Sequence, residues 1–166
     1  MNVRVGLLAS LVLPIVALAG NTLLHHWQRG SGQEIVLPIE GFDPRDLLSG
    51  HYLTYRVNYG VDGQCSTTAN SEASVCLQPD KKLYTPQAVP ASCQLFIRGI
   101  CDSGGLFRVP SVERFYIPEQ YAVALDQKVR NRQGSLVLSV DSRGNASIRD
   151  LLIDGKPWKS AMETSP

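Results

Sequence analysis

The feature that most constrains this chain is an uncharged apolar stretch close to its N-terminus. Residues Val5–Leu24 read VGLLASLVLPIVALAGNTLL and contain no Asp, Glu, Lys or Arg. A helix of this length rises roughly 30 Å, which matches the hydrocarbon thickness of a bilayer. The stretch therefore predicts a transmembrane anchor at residues 5–24, with residues 1–4 in the cytoplasm and the rest of the chain exported.

Two other interpretations of this stretch stay open. Ala17-Leu18-Ala19 before Gly20 fits the small-x-small cleavage site of a secretory signal peptide, which would remove residues 1–19. A helix buried in a core is the third interpretation, but the run is apolar on all sides instead of on one stripe. We favour the anchor because the apolar run continues past the cleavage site as far as Leu24. The anchor and the signal peptide both export the remaining residues.

The four cysteines agree with export. Cys65, Cys76, Cys93 and Cys101 lie within 37 residues of one another and form no C-x-x-C pair. Zinc knuckles and thioredoxin-type motifs are therefore not indicated, and two disulfides in an oxidising compartment are predicted. Three pairings are possible, and we favour Cys65–Cys76 with Cys93–Cys101 because each closes a short local loop. The alternative is four buried free thiols.

Composition and motifs exclude several classes of function. Sixteen basic and fifteen acidic residues give a net charge of +1, so no basic surplus exists to bind nucleic acid. Hydrophobic residues make up 43% and charged residues 19%, which is enough apolar material for a packed core. The sequence contains no G-x-S-x-G, H-E-x-x-H or G-x-x-x-x-G-K motif. We therefore assign no catalytic residue, no metal site and no cofactor.

The periodicity of the exported part predicts an α+β domain at residues 34–158, between a linker at 25–33 and a tail at 159–166. Strict alternation predicts a half-buried strand with His51, Leu53, Tyr55, Val57 and Tyr59 on one face. A main helix is predicted from Pro118 to about Arg130. The other predicted elements of this mostly antiparallel domain are strands at 34–40, 75–77, 93–100 and 111–117, a short helix at 43–48 and a hairpin of 135–140 with 146–153. The region between Gly60 and Gly105 is otherwise predicted to be irregular, and to be the main contact surface.

The segment DPRDLLSGHYLTYRV (residues 43–57) resembles the motif region of the bacterial GDYXXLXY family of membrane-anchored extracytoplasmic proteins. Aligned on Gly50, the motif falls at Gly50, His51, Tyr52, Tyr55 and Val57, and Gly50 and Tyr52 keep the family's letters. RFYIPEQYA (114–122) is similar to the family's aromatic strand and Pro-capped helix, and residues 144–158 to its closing hairpin. The resemblance covers residues 35–158 and implies no catalytic residue.

The resemblance also implies a location. It places the chain in a bacterial inner membrane as a single-pass protein, with the N-terminus cytoplasmic and the C-terminal domain periplasmic or at the cell surface. Gly50, His51, Tyr52 and Tyr55 are then motif residues to which the family assigns no role.

The leading hypothesis is a non-enzymatic domain that works through protein contacts, as an accessory to a membrane complex. Its expected partners are the lipid bilayer, through residues 5–24, and a membrane or periplasmic protein. A weaker hypothesis is binding of a small ligand by the strand tyrosines Tyr52, Tyr55 and Tyr59.

A degenerate or atypical Ser–Lys hydrolase, similar to membrane-anchored signal peptidases, is the alternative from another class. Lys81 or Lys82 would supply the general base. Phe42 and Asp43 stand where the nucleophilic serine belongs, and Ser49 lies too close to the following strand. A base without its nucleophile performs no chemistry, which disfavours this alternative.

Overall fold

A computed structural model describes residues 12–22, 32–41, 52–61, 65, 68 and 70–163. The chain divides into two compact units, Met1–Gly32 and Gln33–Pro166. In the first unit residues 12–22 are helical (α1), and the large apolar side chains of Val12, Leu13, Ile15, Val16 and Leu18 are exposed. The other residues of the predicted span 5–24, and the predicted helix at 43–48, lie outside the described residues. No helix in the described ranges has both the length and the apolarity needed to cross a membrane.

The second unit has the mostly antiparallel α+β fold that the sequence predicts. Its described strands are β1 (Gln33–Gly41), β2 (Tyr52–Val57), β3 (Ser71–Gln78), β4 (Lys82–Tyr84), β5 (Leu95–Cys101), β6 (Phe107–Arg108), β7 (Arg114–Tyr116), β8 (Gly134–Val140), β9 (Ala146–Ile153) and β10 (Lys156–Pro157). The helices are α2 (Glu119–Arg130) and α3 (Trp158–Glu163), and Pro110–Val112 forms a 3-10 turn. One sheet has the order β10-β9-β8-β1-β2-β7 and the other β4-β3-β5-β6.

Burial follows the alternation of the strands in the six-stranded sheet. In β2, Leu53 and Tyr55 are buried while Thr54 and Arg56 are exposed, as the sequence predicts. The inner face of this sheet is formed by side chains that are almost fully buried: Leu37, Ile39, Leu53, Tyr55, Leu136, Leu138, Val140, Leu151 and Ile153. This face packs against α2 and the second sheet in one core.

Helix α2 confirms the predicted main helix to within one residue at its start. Leu125 and Val129 are its buried residues, and the helix packs against β1 and β2. The approach is close at Gly134, where an added Cβ would lie 2.9 Å from Ile39 and 3.0 Å from Val129. A glycine at this position therefore lets the helix lie directly on the sheet.

The region between Gly60 and Gly105 is more regular than predicted, because β3 is longer than expected and β4 follows it, whereas β5 confirms the strand predicted at 93–100. The strand predicted at 75–77 is the end of the eight-residue β3, which is buried on both faces from Ala73 to Leu77. Burial on both faces removes the alternation by which a half-buried strand is recognised. The predicted strand at 111–117 is also shorter, because the 3-10 turn precedes β7.

Two disulfides form, as predicted, but the favoured pairing of the cysteines is wrong. The bonds join Cys65 to Cys101 and Cys76 to Cys93, across 36 and 17 residues. The pairing follows the second sheet, in which β3 and β5 lie side by side. Cys101 at the end of β5 therefore lies near the start of β3, and Cys93 before β5 lies near the end of β3. The backbone N–H of Cys65 donates to the Gly105 carbonyl at 2.8 Å, and this hydrogen bond holds Cys65 in position. Proximity in the sheet therefore decides the pairing, and loop length does not.

The turn between β8 and β9 depends on one carboxylate. Asp141 Oδ1 accepts the N–H groups of Arg143 and Asn145 at 2.9 and 2.8 Å, and Oδ2 accepts the Asn145 amide at 2.8 Å. Burial raises the pKa of Asp141, but the hydrogen bonds from Asn145 and Arg143 outweigh burial and leave this pKa below its ordinary value of 3.8. The charged form is therefore stabilised by folding.

We expect Asp141→Ala to lower the free energy of unfolding by about 1–2 kcal/mol at neutral pH. Because the folded-state pKa is depressed, the contribution is full above the unfolded value and is lost as pH falls through the folded value. The difference between wild type and variant should therefore shrink in acid, measured by urea unfolding at pH values above and below 3.8. Asp80→Ala removes an exposed carboxylate and is the control. A loss that stays constant down to the lowest pH would contradict this account.

Candidate binding cavity

A cavity of about 240 Å³ lies where the chain leaves β2 and faces the edge strand β6. Residues 56–61 form one wall and residues 106–108 the other, with Glu40 and Glu113 completing the lining. β6 pairs with β5 and is the outermost strand of its sheet. The two walls therefore come from different sheets and are about 50 residues apart in sequence.

Local hydrogen bonds fix the shape of both walls. On the first wall, Asn58 donates its N–H to the Pro38 carbonyl at 2.9 Å, and its side chain accepts the Gly60 N–H at 2.8 Å. Gly60 has a φ of +66°, a conformation that glycine adopts without strain. On the second wall, Asp102 Oδ1 accepts the Leu106 N–H at 2.9 Å, and the Leu106 side chain stays 46% exposed at the rim.

Tyr59 and Phe107 join the walls at the floor of the cavity. Their rings meet edge to face, with centroids 5.0 Å apart. Tyr59 is only 5% exposed, and its hydroxyl has no hydrogen-bond partner within the described part of the chain. Burial raises the pKa of this hydroxyl well above its usual range, and the negative charge of Glu113 raises it further. Tyr59 therefore keeps its proton.

An ion pair lies beside this floor. Arg108 Nε donates to Glu113 Oε1 at 2.9 Å, and Nη2 donates to Oε2, so the pair is bidentate. The Glu113 side chain is 12% exposed and that of Arg108 is 49% exposed. The hydrogen bond to Glu113 raises the pKa of Arg108, so the guanidinium is a permanent cation. The cavity thus combines an aromatic floor, an apolar rim and fixed charges.

The structure separates the predicted motif residues. Gly50 and His51 lie outside the described residues. Tyr52 and Tyr55 occupy opposite faces of β2, since Tyr55 is 1% exposed in the core whereas Tyr52 is only half-buried. The Tyr52 ring lies 6.2 Å from that of Tyr116 and 5.3 Å from the guanidinium of Arg114. Of the three predicted strand tyrosines, Tyr59 lines the cavity.

Of the residues considered for a Ser–Lys site, the structure describes the two lysines, and Phe42 and Asp43 lie outside the described residues. Lys81 lies against Gly60, where an added Cβ would be 2.9 Å from its Nζ, whereas Ser49 lies outside the described residues. The described lining of the cavity contains no Ser, Thr, Cys or His. In the described ranges, no group of three or more acidic, His or Cys side chains could hold a metal ion.

Sequence reasoning missed Leu106, Phe107, Arg108 and Glu113. Arg108 and Glu113 are five residues apart, a spacing that brings side chains together only because the 3-10 turn shortens the chain between them. The single available signal is the pair of opposite charges that flanks Pro110 in the sequence RVPSVE.

Comparison with known proteins adds one match. The model of the family described as GDYXXLXY protein matches residues 14–151 of the chain. This range includes both disulfides and every residue that lines the cavity. No curated protein and no solved structure is significantly similar to the chain.

Proposed function

Because the chain belongs to the GDYXXLXY family, we propose that it is a membrane-anchored extracytoplasmic domain that binds a segment of a partner protein in this cavity. The partner is a membrane or periplasmic protein, and the domain is an accessory to its complex. The proposal has two parts, a location and a binding role, and different features of the chain support each.

Two features support the location. The four described cysteines form two disulfides, and such bonds persist in oxidising compartments outside the cytoplasm. The uncharged stretch at residues 5–24 matches the hydrocarbon thickness, and α1 within it exposes five large apolar side chains. The proposed arrangement is a single span in a bacterial inner membrane, with the N-terminus cytoplasmic and the disulfide-bonded domain on the other side.

The observation that carries the binding role is the cavity itself, in which the edge-to-face pair of Tyr59 and Phe107 joins two walls from different sheets. Ligand sites are typically concave surfaces with an aromatic or apolar lining and a few fixed polar groups. The exposed Leu106 at the rim and the fixed Arg108–Glu113 pair give the mixture of apolar and polar contacts typical of a binding site.

Photo-cross-linking in intact cells tests this proposal. A photoreactive phenylalanine derivative replaces Leu106 at the rim, and in a matched control it replaces Val123, which is 67% exposed on α2 and does not line the cavity. We expect a discrete adduct with one exported or membrane protein at position 106 and none at 123. No adduct at 106, or the same adducts at both positions, would contradict the binding role.

The same experiment separates the alternatives. The cavity volume of about 240 Å³ is close to the lower end of the range for small-ligand pockets, about 300 Å³. A small molecule would give a mass increase of a few hundred daltons at position 106 in place of a protein adduct. Labelling by a serine-reactive probe, lost on changing one serine, would instead favour the Ser–Lys hydrolase.

A further inference from the structure

We propose that the cavity recognises an extended polypeptide segment, which adds as a strand to the free edge of β6 and places a carboxylate beside Lys81. This inference rests on the proposed function, because it states which chemistry the partner protein presents to the cavity. Three observations carry it: the direction of the backbone groups of β6, the direction of those at the end of β2, and the ammonium of Lys81 beside the cavity.

The first observation is the direction of the Phe107 backbone. In an antiparallel pair, residues whose N–H and C=O groups point toward the partner alternate with residues whose groups point away. Asp102 donates its N–H to the Leu106 carbonyl at 2.9 Å, so the backbone groups of these two residues point toward each other. Phe107, the next residue and the partner of Cys101, therefore points its N–H and C=O away from β5. The Cys101 carbonyl agrees, because it turns toward the β3 side and accepts the Asn70 N–H at 2.8 Å.

The second observation is the matching direction of Val57 on the opposite wall. Asn58 donates its N–H to the Pro38 carbonyl, so the backbone groups of Asn58 and Pro38 point toward each other. Val57 is paired with Ile39 one position along, and the backbone groups of Val57 therefore point away from β1. The ladder between β2 and β7 includes Thr54 and does not extend to Val57. Both walls therefore direct backbone N–H and C=O groups away from the strands with which they pair. A chain in the extended conformation supplies complementary N–H and C=O groups at the strand repeat, and a compact small molecule does not.

The third observation is a lysine beside a lining whose charges balance. The cavity is lined by two carboxylates, Glu40 and Glu113, and two guanidinium groups, Arg56 and Arg108. Lys81 brings a further cation next to this lining, since its ammonium lies against the cavity-lining Gly60. Within the described part of the chain, Lys81 makes no ion pair or hydrogen bond. The unpaired ammonium favours an occupant that carries a carboxylate at this end, either an acidic side chain or a free C-terminus.

Peptide binding to the detergent-solubilised full chain tests the inference. The probes are heptapeptides of alternating Val and Thr, labelled with an uncharged boron-dipyrromethene dye, with one Asp at a varied position or with none. Each is made with a free carboxyl terminus and with an amidated terminus. Fluorescence polarisation gives the Kd of each probe for wild type, for Lys81→Gln and for the matched control Lys82→Gln, which changes an exposed lysine one residue away on β4.

We expect probes with a carboxylate to bind and the uncharged probe to bind more weakly. Lys81→Gln should weaken the carboxylate probes by about threefold to tenfold, whereas Lys82→Gln should leave them unchanged. N-methylation of the probe should weaken binding at alternate residues only, since every second N–H of an added strand faces β6. Dependence on the terminal acid identifies a C-terminus as the natural group, and dependence on Asp identifies an acidic side chain.

Equal effects of the two lysine variants, or N-methylation effects without alternation, would overturn the inference. The proposed function would survive that result if Leu106 still gives its specific protein adduct. If neither peptides nor a partner protein bind at the cavity, both the inference and the proposed function fail.

Discussion

Replacing Cys65 and Cys101 together by alanine should lower the free energy of unfolding by about 4 kcal/mol, and replacing Cys76 and Cys93 together by about 3 kcal/mol. The reason is that a disulfide restricts the unfolded chain by an amount that grows with the logarithm of the loop length, and the two loops span 36 and 17 residues. Cys65 and Cys101 also form a small buried cluster with Ala73, so their removal costs packing as well. Guanidinium unfolding of oxidised protein measures both losses.

The control for this prediction is the reduced wild-type protein. It should lose approximately what both alanine pairs lose together, because it lacks the same two cross-links. If the Cys76–Cys93 pair costs more than the Cys65–Cys101 pair, loop restriction is not the source of stability. If neither pair costs as much as about 1 kcal/mol, the disulfides contribute little to this fold.

Trp158→Ala should cost about 3–5 kcal/mol of the free energy of unfolding, the range measured when large buried aromatic side chains are truncated. Trp158 is 6% exposed at the start of α3 and joins two other elements through its ring. Its centroid lies 6.4 Å from that of Phe115 on β7 and 5.6 Å from that of Tyr121 on α2, both edge to face. Chemical denaturation measures the loss.

Two variants make this result specific. Trp158→Phe keeps an aromatic ring and should recover a large part of the loss. Lys156→Ala changes an exposed side chain on β10 and should stay within about 0.5 kcal/mol of wild type. A Trp158→Ala protein as stable as the Lys156→Ala protein would show that α3 does not hold β7 and α2 in place.

Local periodicity made part of the fold predictable. The alternation in β2, the stripe of α2 and the β8–β9 hairpin with its Asp141 turn each depend on neighbours within a few residues. A tail is predicted from residue 159, but the structure has a helix there, since α3 begins at Trp158 and continues to Glu163. Six residues are too few to show a helical stripe, and the helix is held by the packing of Trp158.

The remaining features could not be predicted from one sequence, because they depend on contacts between residues that are far apart in the chain. The pairing of the cysteines follows from the β3–β5 ladder, which joins residues about 25 positions apart. The cavity depends on a meeting of Tyr59 with Phe107, and nothing near either residue in sequence indicates the other. Of the three strand tyrosines that the sequence predicts as ligand contacts, Tyr59 lines the cavity, whereas Tyr52 and Tyr55 do not. β2 ends before Tyr59, so its ring reaches the second sheet.

The most direct test of the central claim, a disulfide-bonded domain anchored outside the cytoplasm, is the intact mass of the protein extracted from bacterial membranes. Thiols are alkylated before and after reduction. The account predicts the full-length mass, no alkylated cysteine before reduction and four after it, in keeping with the two disulfides. Four alkylated cysteines before reduction would contradict export, and a mass that begins at Gly20 would contradict the anchor.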